Sequence, residues 1–222
     1  MFNFLKSLSW ILLIAISFSS FGQQTDKYEL TYFNGKRDII KVKAQLRLED
    51  SQLYMSQNGS KSADFPKYVK NLIVSDKKGE PIQIQFQDSV KWILEGVFPG
   101  QMVNVEYELH VKHEDQEWPG GIDGVAYIRD FGVMTTGRSL FVMNGEKKEN
   151  IKVHAEIPEG VKISTSWNDE PGKENSFEVS DLDNLQEAFL FAGKQEEVLI
   201  KRESFNFLML TLTTKCDCTR NF

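Results

Sequence analysis

This 222-residue chain has few cysteines and few histidines, and it carries no excess of basic residues. Its two cysteines, Cys216 and Cys218, lie near the C-terminus, so the fold is not built on disulfides. The formal net charge is −6, whereas nucleic-acid-binding domains present a basic stripe. The acidic balance also gives no basis for binding an anionic membrane surface. We therefore expect no nucleic-acid partner and no membrane partner for the mature chain.

The N-terminus shows the pattern of a secretory signal peptide. Lys6 precedes an apolar stretch over residues 8–18, and the small residues Ser20 and Gly22 precede a cleavage point. The apolar stretch is too short for a typical membrane span. We expect residues 1–22 to be removed and the mature protein to be exported, either to the periplasm or out of the cell.

Alternation of apolar and polar residues with a period of two predicts repeated strands, each with one buried face. Glycine-containing turn signals fall between them. The pattern predicts an all-β fold, an antiparallel β-sandwich with one or two short helices. The predicted domain covers residues 23–214 and is followed by a tail over 215–222. The alternating segments are 41–48, 82–87, 103–111 and 151–157.

Two segments show helical patterns. Residues 65–72 predict a turn or two of helix. Residues 180–191 predict a longer helix, with Ser180 or Asp181 as N-cap and with Leu182, Leu185 and Phe189 on one stripe. Trp92 follows Val90 by two residues in a predicted strand and begins an apolar run to Leu94, which predicts a buried side chain.

Catalytic and metal-binding motifs are missing. His110 and His113 have opposite parity in a strand, which makes them a poor ligand pair, and His154 lies on a polar face. The segment "HEDQE" at 113–117 begins like H-E-x-x-H, but Glu117 replaces the second histidine that this zinc motif needs. G-x-S-x-G and G-x-G-x-x-G do not occur either. We predict no catalytic residue, no metal site and no cofactor.

The stretch "GGIDGVAYIRDFGVMTTGRSLFVMNG" at 120–145 is rich in glycine. It predicts a tight loop over 119–124, then strands over 125–128 and 139–142 on either side of a second turn. Tyr127, Phe131 and Phe141 are expected to pack in the core or at its rim. The alternative is a ligand loop, whose candidate residues are Trp118, Tyr127, Arg129 and Arg138.

The segment "SFNFLMLTLTT" at 204–214 is apolar on both faces of a predicted strand. One face can cover the sandwich core, and the other has no evident cover in this chain. Exposed apolar surface of this kind marks an interaction site. We expect self-association or binding of a protein partner there, and the candidate residues are Phe205, Phe207, Leu208, Leu210 and Leu212.

Taken in order, several segments resemble the N-terminal β-domain of the glycyl aminopeptidase family of zinc metallopeptidases, metallopeptidase family sixty-one. They include "YELTY", "FPKYVKNLIVSDKKGEPIQI", "VNVEYELHVKH", the glycine-rich stretch and "FEVSDLDNLQEAFLFAG". The resemblance implies that catalysis belongs to a downstream domain with H-E-x-x-H, a motif that this chain lacks. No catalytic or metal residue therefore carries over to it. Either a free-standing domain or the truncated product of a longer gene fits this pattern.

These observations predict a non-catalytic, exported bacterial module that acts as a scaffold or interaction domain. The first alternative is an exported β-sandwich that binds carbohydrate or peptide through aromatic side chains. A second alternative is an enzyme with an unrecognised site. A row of exposed aromatic residues would favour the binding module. The candidates for such a row are Trp92, Trp118, Tyr127 and Trp167.

Overall fold

The computed structural model describes residues 25–33, 35–56, 64–87, 90–111, 126–201 and 206–212. Several predictions concern residues outside these ranges, so they remain predictions. They are the signal peptide over 1–22, the tail, His113, Trp118, Phe205, Cys216 and Cys218. The side chains of Tyr127, Phe207, Leu208 and Leu212 also lie outside the described part.

Strands dominate the described residues, as the repeated alternation predicts. In chain order they are β1 (Lys27–Thr31), β2 (Ile39–Arg47), β3 (Gln52–Tyr54), β4 (Val69–Asp76), β5 (Ile84–Gln87), β6 (Lys91–Leu94), β7 (Met102–His110), β8 (Tyr127–Arg129), β9 (Gly132–Thr136), β10 (Glu149–Glu156), β11 (Lys162–Thr165), β12 (Asn168–Asp169), β13 (Ser176–Asp181), β14 (Phe189–Gly193), β15 (Gln195–Lys201) and β16 (Asn206–Leu212).

The largest sheet has seven strands in the order β12-β13-β10-β1-β2-β7-β4. Only β1 and β10 pair in parallel within it, and the remaining neighbours are antiparallel. Along β2, the apolar residues Val42, Ala44 and Leu46 are buried while Lys41 and Lys43 are exposed. The predicted alternation in 41–48 is therefore confirmed, and it gives the sheet one core face and one solvent face.

Smaller sheets cover the core face, a four-stranded one in the order β11-β14-β9-β8 and a three-stranded one in the order β3-β6-β5. Side chains from all three sheets form one buried cluster. Tyr28 of β1 meets the ring of Phe141 edge-on at 4.8 Å. The Tyr107 hydroxyl donates to Leu140 O at 2.7 Å and accepts from the Val142 amide at 3.0 Å. These contacts join the layers of the predicted sandwich, which is confirmed.

Among the described residues, helix occurs only in short pieces, namely a 3-10 helix at Phe65–Tyr68, α1 at Gly137–Leu140 and α2 at Leu182–Glu187. Asp181 caps α2, because its Oδ1 accepts the Asn184 amide at 2.8 Å. The helix predicted over 180–191 is confirmed for Leu182–Glu187 and wrong at Phe189. That residue begins β14 and is 57% exposed, because pairing with β9 overrides the helical stripe.

The strand predicted over 139–142 is wrong. The chain instead turns through α1, where the Ser139 hydroxyl donates to Thr136 O at 3.0 Å and stabilises the first turn. Phe141 is nevertheless fully buried, as the sequence predicts. The buried face expected for residues 82–87 is also incomplete, since Phe86 is 54% exposed at the sheet margin.

Candidate functional site

Of the four candidate ligand-loop residues, only Arg129 and Arg138 have side chains that the structure describes, and both are held by contacts within the protein. Arg129 ends β8, and its Nη1 donates to Ile128 O at 2.8 Å. Arg37 Nη2 donates to the carbonyl oxygens of Arg129 and Asp130 at 3.1 and 2.9 Å. These contacts tie the β8–β9 turn to the chain that leads into β2. They support the interpretation of this turn as scaffold.

Arg138, the other arginine of that prediction, belongs to α1. Its guanidinium forms hydrogen bonds with the Glu187 carboxylate at the end of α2. Nη2 lies 2.5 Å from both oxygens, and Nε lies 3.1 Å from Oε1. A forked pair of this kind positions both helices. Arg138 is thus engaged within the protein and does not join Arg129 in a common pocket of the described region.

Phe131 packs at the rim of the core, as predicted. Its ring stacks on Phe191 with centroids 6.3 Å apart. Two glycines, Gly132 and Gly193, face each other across β9 and β14. A Cβ on Gly132 would lie 2.7 Å from the Phe191 ring, so the sheet needs glycine there for close approach. At Gly132 and Gly193, glycine therefore permits the close approach of β9 and β14.

The described residues do not fit a zinc ion. No group of three or more His, Cys, Asp or Glu side chains is placed to hold a metal within the described ranges. His154 Nδ1 lies 2.8 Å from the Ser176 hydroxyl, and His110 Nε2 lies 3.7 Å from Glu108 Oε2. These histidines stand on different strands, and His110 Nε2 has no hydrogen-bond partner within the described residues.

A cleft of about 660 Å³ lies over the outer face of β1, β10 and β13. Three of its charged side chains, Lys152, Glu170 and Lys173, are paired within the protein. Lys152 Nζ donates to Glu178 at 2.6 Å and to Glu170 at 3.1 Å, and Lys173 Nζ donates to Glu170 at 2.9 Å. The hydrogen bond to Glu178 raises the pKa of Lys152, while the bonds from Lys173 and Lys152 lower the pKa of Glu170. This pattern is typical of a solvated sheet face.

Asp26 and Lys148 form a buried ion pair, with Lys148 Nζ 3.4 Å from Asp26 Oδ2. Asp26 Oδ1 also accepts the Arg47 amide at 2.9 Å, and Lys148 donates to the Arg47 carbonyl oxygen. Burial raises the pKa of the Asp26 carboxyl despite these partners. A shifted carboxyl can mark a functional site, but its partners here join the start of β1 to the turn before β10, which is a structural role.

The aromatic side chains give no support to a carbohydrate-binding row within the described residues. Trp92 is buried. Trp167 lies between Phe141 and Phe177, each at 6.0 Å, and its Nε1 donates to Asn184 O at 3.1 Å. Both tryptophans therefore belong to the packing of the sandwich.

The C-terminal hairpin, formed by β15 and β16, carries the largest set of exposed apolar side chains that neighbour one another in the described structure. It is a separate two-stranded antiparallel sheet. A sequence reading of 204–214 alone does not reveal that β15 contributes apolar residues to the same surface. Those described are Val198, Ile200, Met209 and Leu210, which are between 37% and 44% exposed.

Described apolar side chains on both faces of the hairpin are partly exposed. Val198 stands directly opposite Met209, and Leu210 points to the other face of the same strand. None of these side chains belongs to the sandwich core. At its base the hairpin is attached to β11, since Gln195 Nε2 donates to Ser164 Oγ at 2.5 Å and the Ser164 hydroxyl donates to the Glu197 carboxylate. An isolated two-stranded sheet is marginally stable in water, which favours a further covering element.

The described part of the chain is thus a β-sandwich in which no group of His, Cys, Asp or Glu side chains is placed to hold a metal, followed by a hairpin with exposed apolar side chains. Comparison with protein families places it more narrowly. The Peptidase M61 N-terminal domain family matches residues 27–194. The chain belongs to this family, which confirms the resemblance inferred from its sequence. Comparison with curated protein sequences finds no match.

Solved structures share the fold. One is an aminopeptidase N family protein from Idiomarina loihiensis, with a TM-score of 0.67 and 17% identity over 84% of this chain and 32% of the other. Another is an M1 zinc metallopeptidase from Deinococcus radiodurans, bound to a Tyr-Ser-Ala substrate, with a TM-score of 0.50 and 11% identity. That match covers 83% of this chain and 46% of the other. The chain thus spans less than half the length of either protein. No described helix here is long and apolar enough to cross a membrane.

Proposed function

We propose that this chain is an exported, non-catalytic β module of metallopeptidase machinery, and that its C-terminal hairpin docks against a catalytic domain. The observation that carries the proposal is the position of the exposed apolar hairpin. The hairpin follows directly on the family-matched region, which ends at residue 194. Covering it would remove apolar surface from water, which is the main driving force of most protein association.

The nature of the partner is inferred from the longer proteins that share this fold. Their names describe an aminopeptidase N family protein and a zinc metallopeptidase, and this chain corresponds to 32% and 46% of them. A metallopeptidase-type catalytic domain, in the same or a separate chain, is therefore the partner we propose. Export rests on the signal-peptide pattern of residues 1–22.

We expect the mature chain, residues 23–222, to bind no stoichiometric zinc and to release no amino acid from glycyl peptides. The described donors do not assemble a site, and H-E-x-x-H is missing from the sequence. Elemental analysis after dialysis and an amino-acid release assay test this. One tightly held zinc ion per chain would contradict the expected lack of a metal site, and hydrolysis that a chelator abolishes would show that the module is catalytic.

The docking role predicts that the isolated module associates with itself through the uncovered hairpin. Replacing Leu208 and Leu210 by Lys should lower the association measured by sedimentation at least about tenfold, because charge replaces apolar contact area, with the near-UV circular dichroism unchanged. Thr211→Lys adds charge to the same strand without removing apolar surface, and it should have little effect. A monomer at high concentration before any substitution would contradict the proposal.

A further inference from the structure

The segment between α1 and β10 contains the dipeptide Asn144–Gly145, whose asparagine is held by the loop between β2 and β3. Asn144 is fully buried. Its Oδ1 accepts the Glu49 amide at 2.6 Å. Its Nδ2 lies 2.7 Å from Gln52 O and 3.1 Å from both Asp50 O and Asp50 Oδ1. One end of the side chain thus faces a donor and the other end faces acceptors, so this position requires a primary amide.

The fold also requires glycine at the next position. Gly145 has a φ of +76°, in the left-handed region that favours glycine. An added Cβ would lie 2.4 Å from Glu49 Cδ. Glu49 cannot move away freely, because its Oε2 accepts the Glu146 amide at 3.0 Å. The Tyr54 hydroxyl donates to Gly145 O at 2.5 Å, which fixes the far side of the dipeptide.

These two required residues form a chemically labile pair. Glycine has no side chain to shield its backbone nitrogen, and its backbone is flexible, so this nitrogen can attack the side-chain amide of a preceding asparagine. A bond then forms between Gly145 N and Asn144 Cγ, and the amide nitrogen leaves as ammonia. Water opens the resulting succinimide ring at one of its two carbonyls, which leaves aspartate or isoaspartate at position 144. The reaction needs a side chain that can rotate and a backbone amide that water can reach.

The folded protein meets neither condition, and it does not fit the product. The hydrogen bonds of Asn144 fix its side chain, and both residues of the dipeptide are buried. Aspartate would place a charged oxygen, which has no proton to donate, against Gln52 O and two oxygens of Asp50. A buried charge without a partner costs more than a lost hydrogen bond. Isoaspartate would also lengthen the backbone by one methylene and displace Gly145 O from Tyr54.

We propose that Asn144 is a deamidation site that reacts only in the unfolded chain, and that its reaction removes the chain from the pool that can fold. The intact fold protects the asparagine, and the same hydrogen bonds reject the product once it has formed. Chemical modification of the unfolded state is one cause of irreversible unfolding. A chain that stays unfolded for long therefore loses the ability to fold. This inference is independent of the docking role of the hairpin.

An ageing experiment tests the proposal. The chain carries Asn34→Gln and Asn58→Gln, which remove its other two Asn-Gly pairs. It is kept in guanidinium chloride with a reducing agent at mildly alkaline pH for increasing times and is then refolded by dilution. A short pulse of protease degrades the chains that have not folded, and mass spectrometry of tryptic peptide 139–147 measures modification at position 144. The surviving chains should be modified at least about tenfold less than the sample before the pulse, because the charged product is rejected.

Direct substitution provides the matched control. Asn144→Asp should raise the unfolding equilibrium constant at least about tenfold at neutral pH, or prevent folding. Asn150→Asp adds the same charge at an exposed position of β10 and should have little effect. The proposal is overturned if the surviving chains are modified as much as the sample before the pulse, or if Asn144 reacts as fast in the folded protein as in the unfolded chain. An Asn144→Asp variant as stable as its parent would also overturn it.

Discussion

Gly137→Ala should lower the free energy of unfolding by about 3 kcal/mol or more, at or beyond the upper end of the range for overpacking. A Cβ at this position would overlap the Leu185 carbonyl oxygen and lie 2.9 Å from Gln186 O. The obstacle is backbone, which cannot rotate away as a side chain can. The Gly137 amide also donates to Ala188 O at 2.9 Å, so α1 cannot retreat without losing that bond. Urea denaturation of the purified variant measures the effect.

Gly160→Ala is the matched control for this substitution. Gly160 has a φ of +78° and no atom within 4 Å of an added Cβ. Its cost is therefore limited to backbone strain of about 1–2 kcal/mol. If Gly137→Ala costs no more than Gly160→Ala, then α1 and α2 do not approach as closely as described.

Trp92→Ala should cost about 3–5 kcal/mol, the range for truncating a large aromatic side chain in a core. Trp92 is 7% exposed in the central strand of its sheet, opposite Leu53 of β3 and Phe86 of β5. Removing the indole leaves a cavity beneath both flanking strands. Chemical denaturation with two-state analysis provides the measurement.

Phe98→Ala serves as the control, because Phe98 is 63% exposed on a turn. Its loss should change the free energy of unfolding by less than about 0.5 kcal/mol. A cost below about 1 kcal/mol for Trp92→Ala, compared with the core range, would place Trp92 at the surface and restore the carbohydrate-binding interpretation.

The strands were predictable because the period-two pattern is local. The buried positions of β2 and β7 alternate as the sequence indicates, and Asp181 caps α2 as predicted. Phe189 shows the limit of this reasoning. It fits a helical stripe in sequence, but strand pairing with Thr136 places it in β14. Local propensity yields to a long-range partner that no sequence window contains.

The candidate site also has features that the sequence predicts and features that only the structure shows. Apolar residues on both faces of 204–214 identify an unusual strand from sequence alone. That its partner strand β15 adds Val198 and Ile200 to the surface depends on the register of the hairpin. The arginines of the glycine-rich stretch show the opposite outcome. In the sequence these arginines are candidates for binding a ligand. In the structure, the Arg138 guanidinium is hydrogen-bonded to the Glu187 carboxylate, 49 residues further along the chain.

The sequence by itself determined the all-β class, the membership of a metallopeptidase N-terminal family and the lack of H-E-x-x-H, because each is written in local patterns and motifs. Only the tertiary structure decided that Gly137 lies against the α2 backbone and that Lys152, Glu170 and Lys173 pair with one another over the large sheet. These features depend on which distant residues come together. Close contact and burial are properties of the packed chain, so residue order alone does not show them.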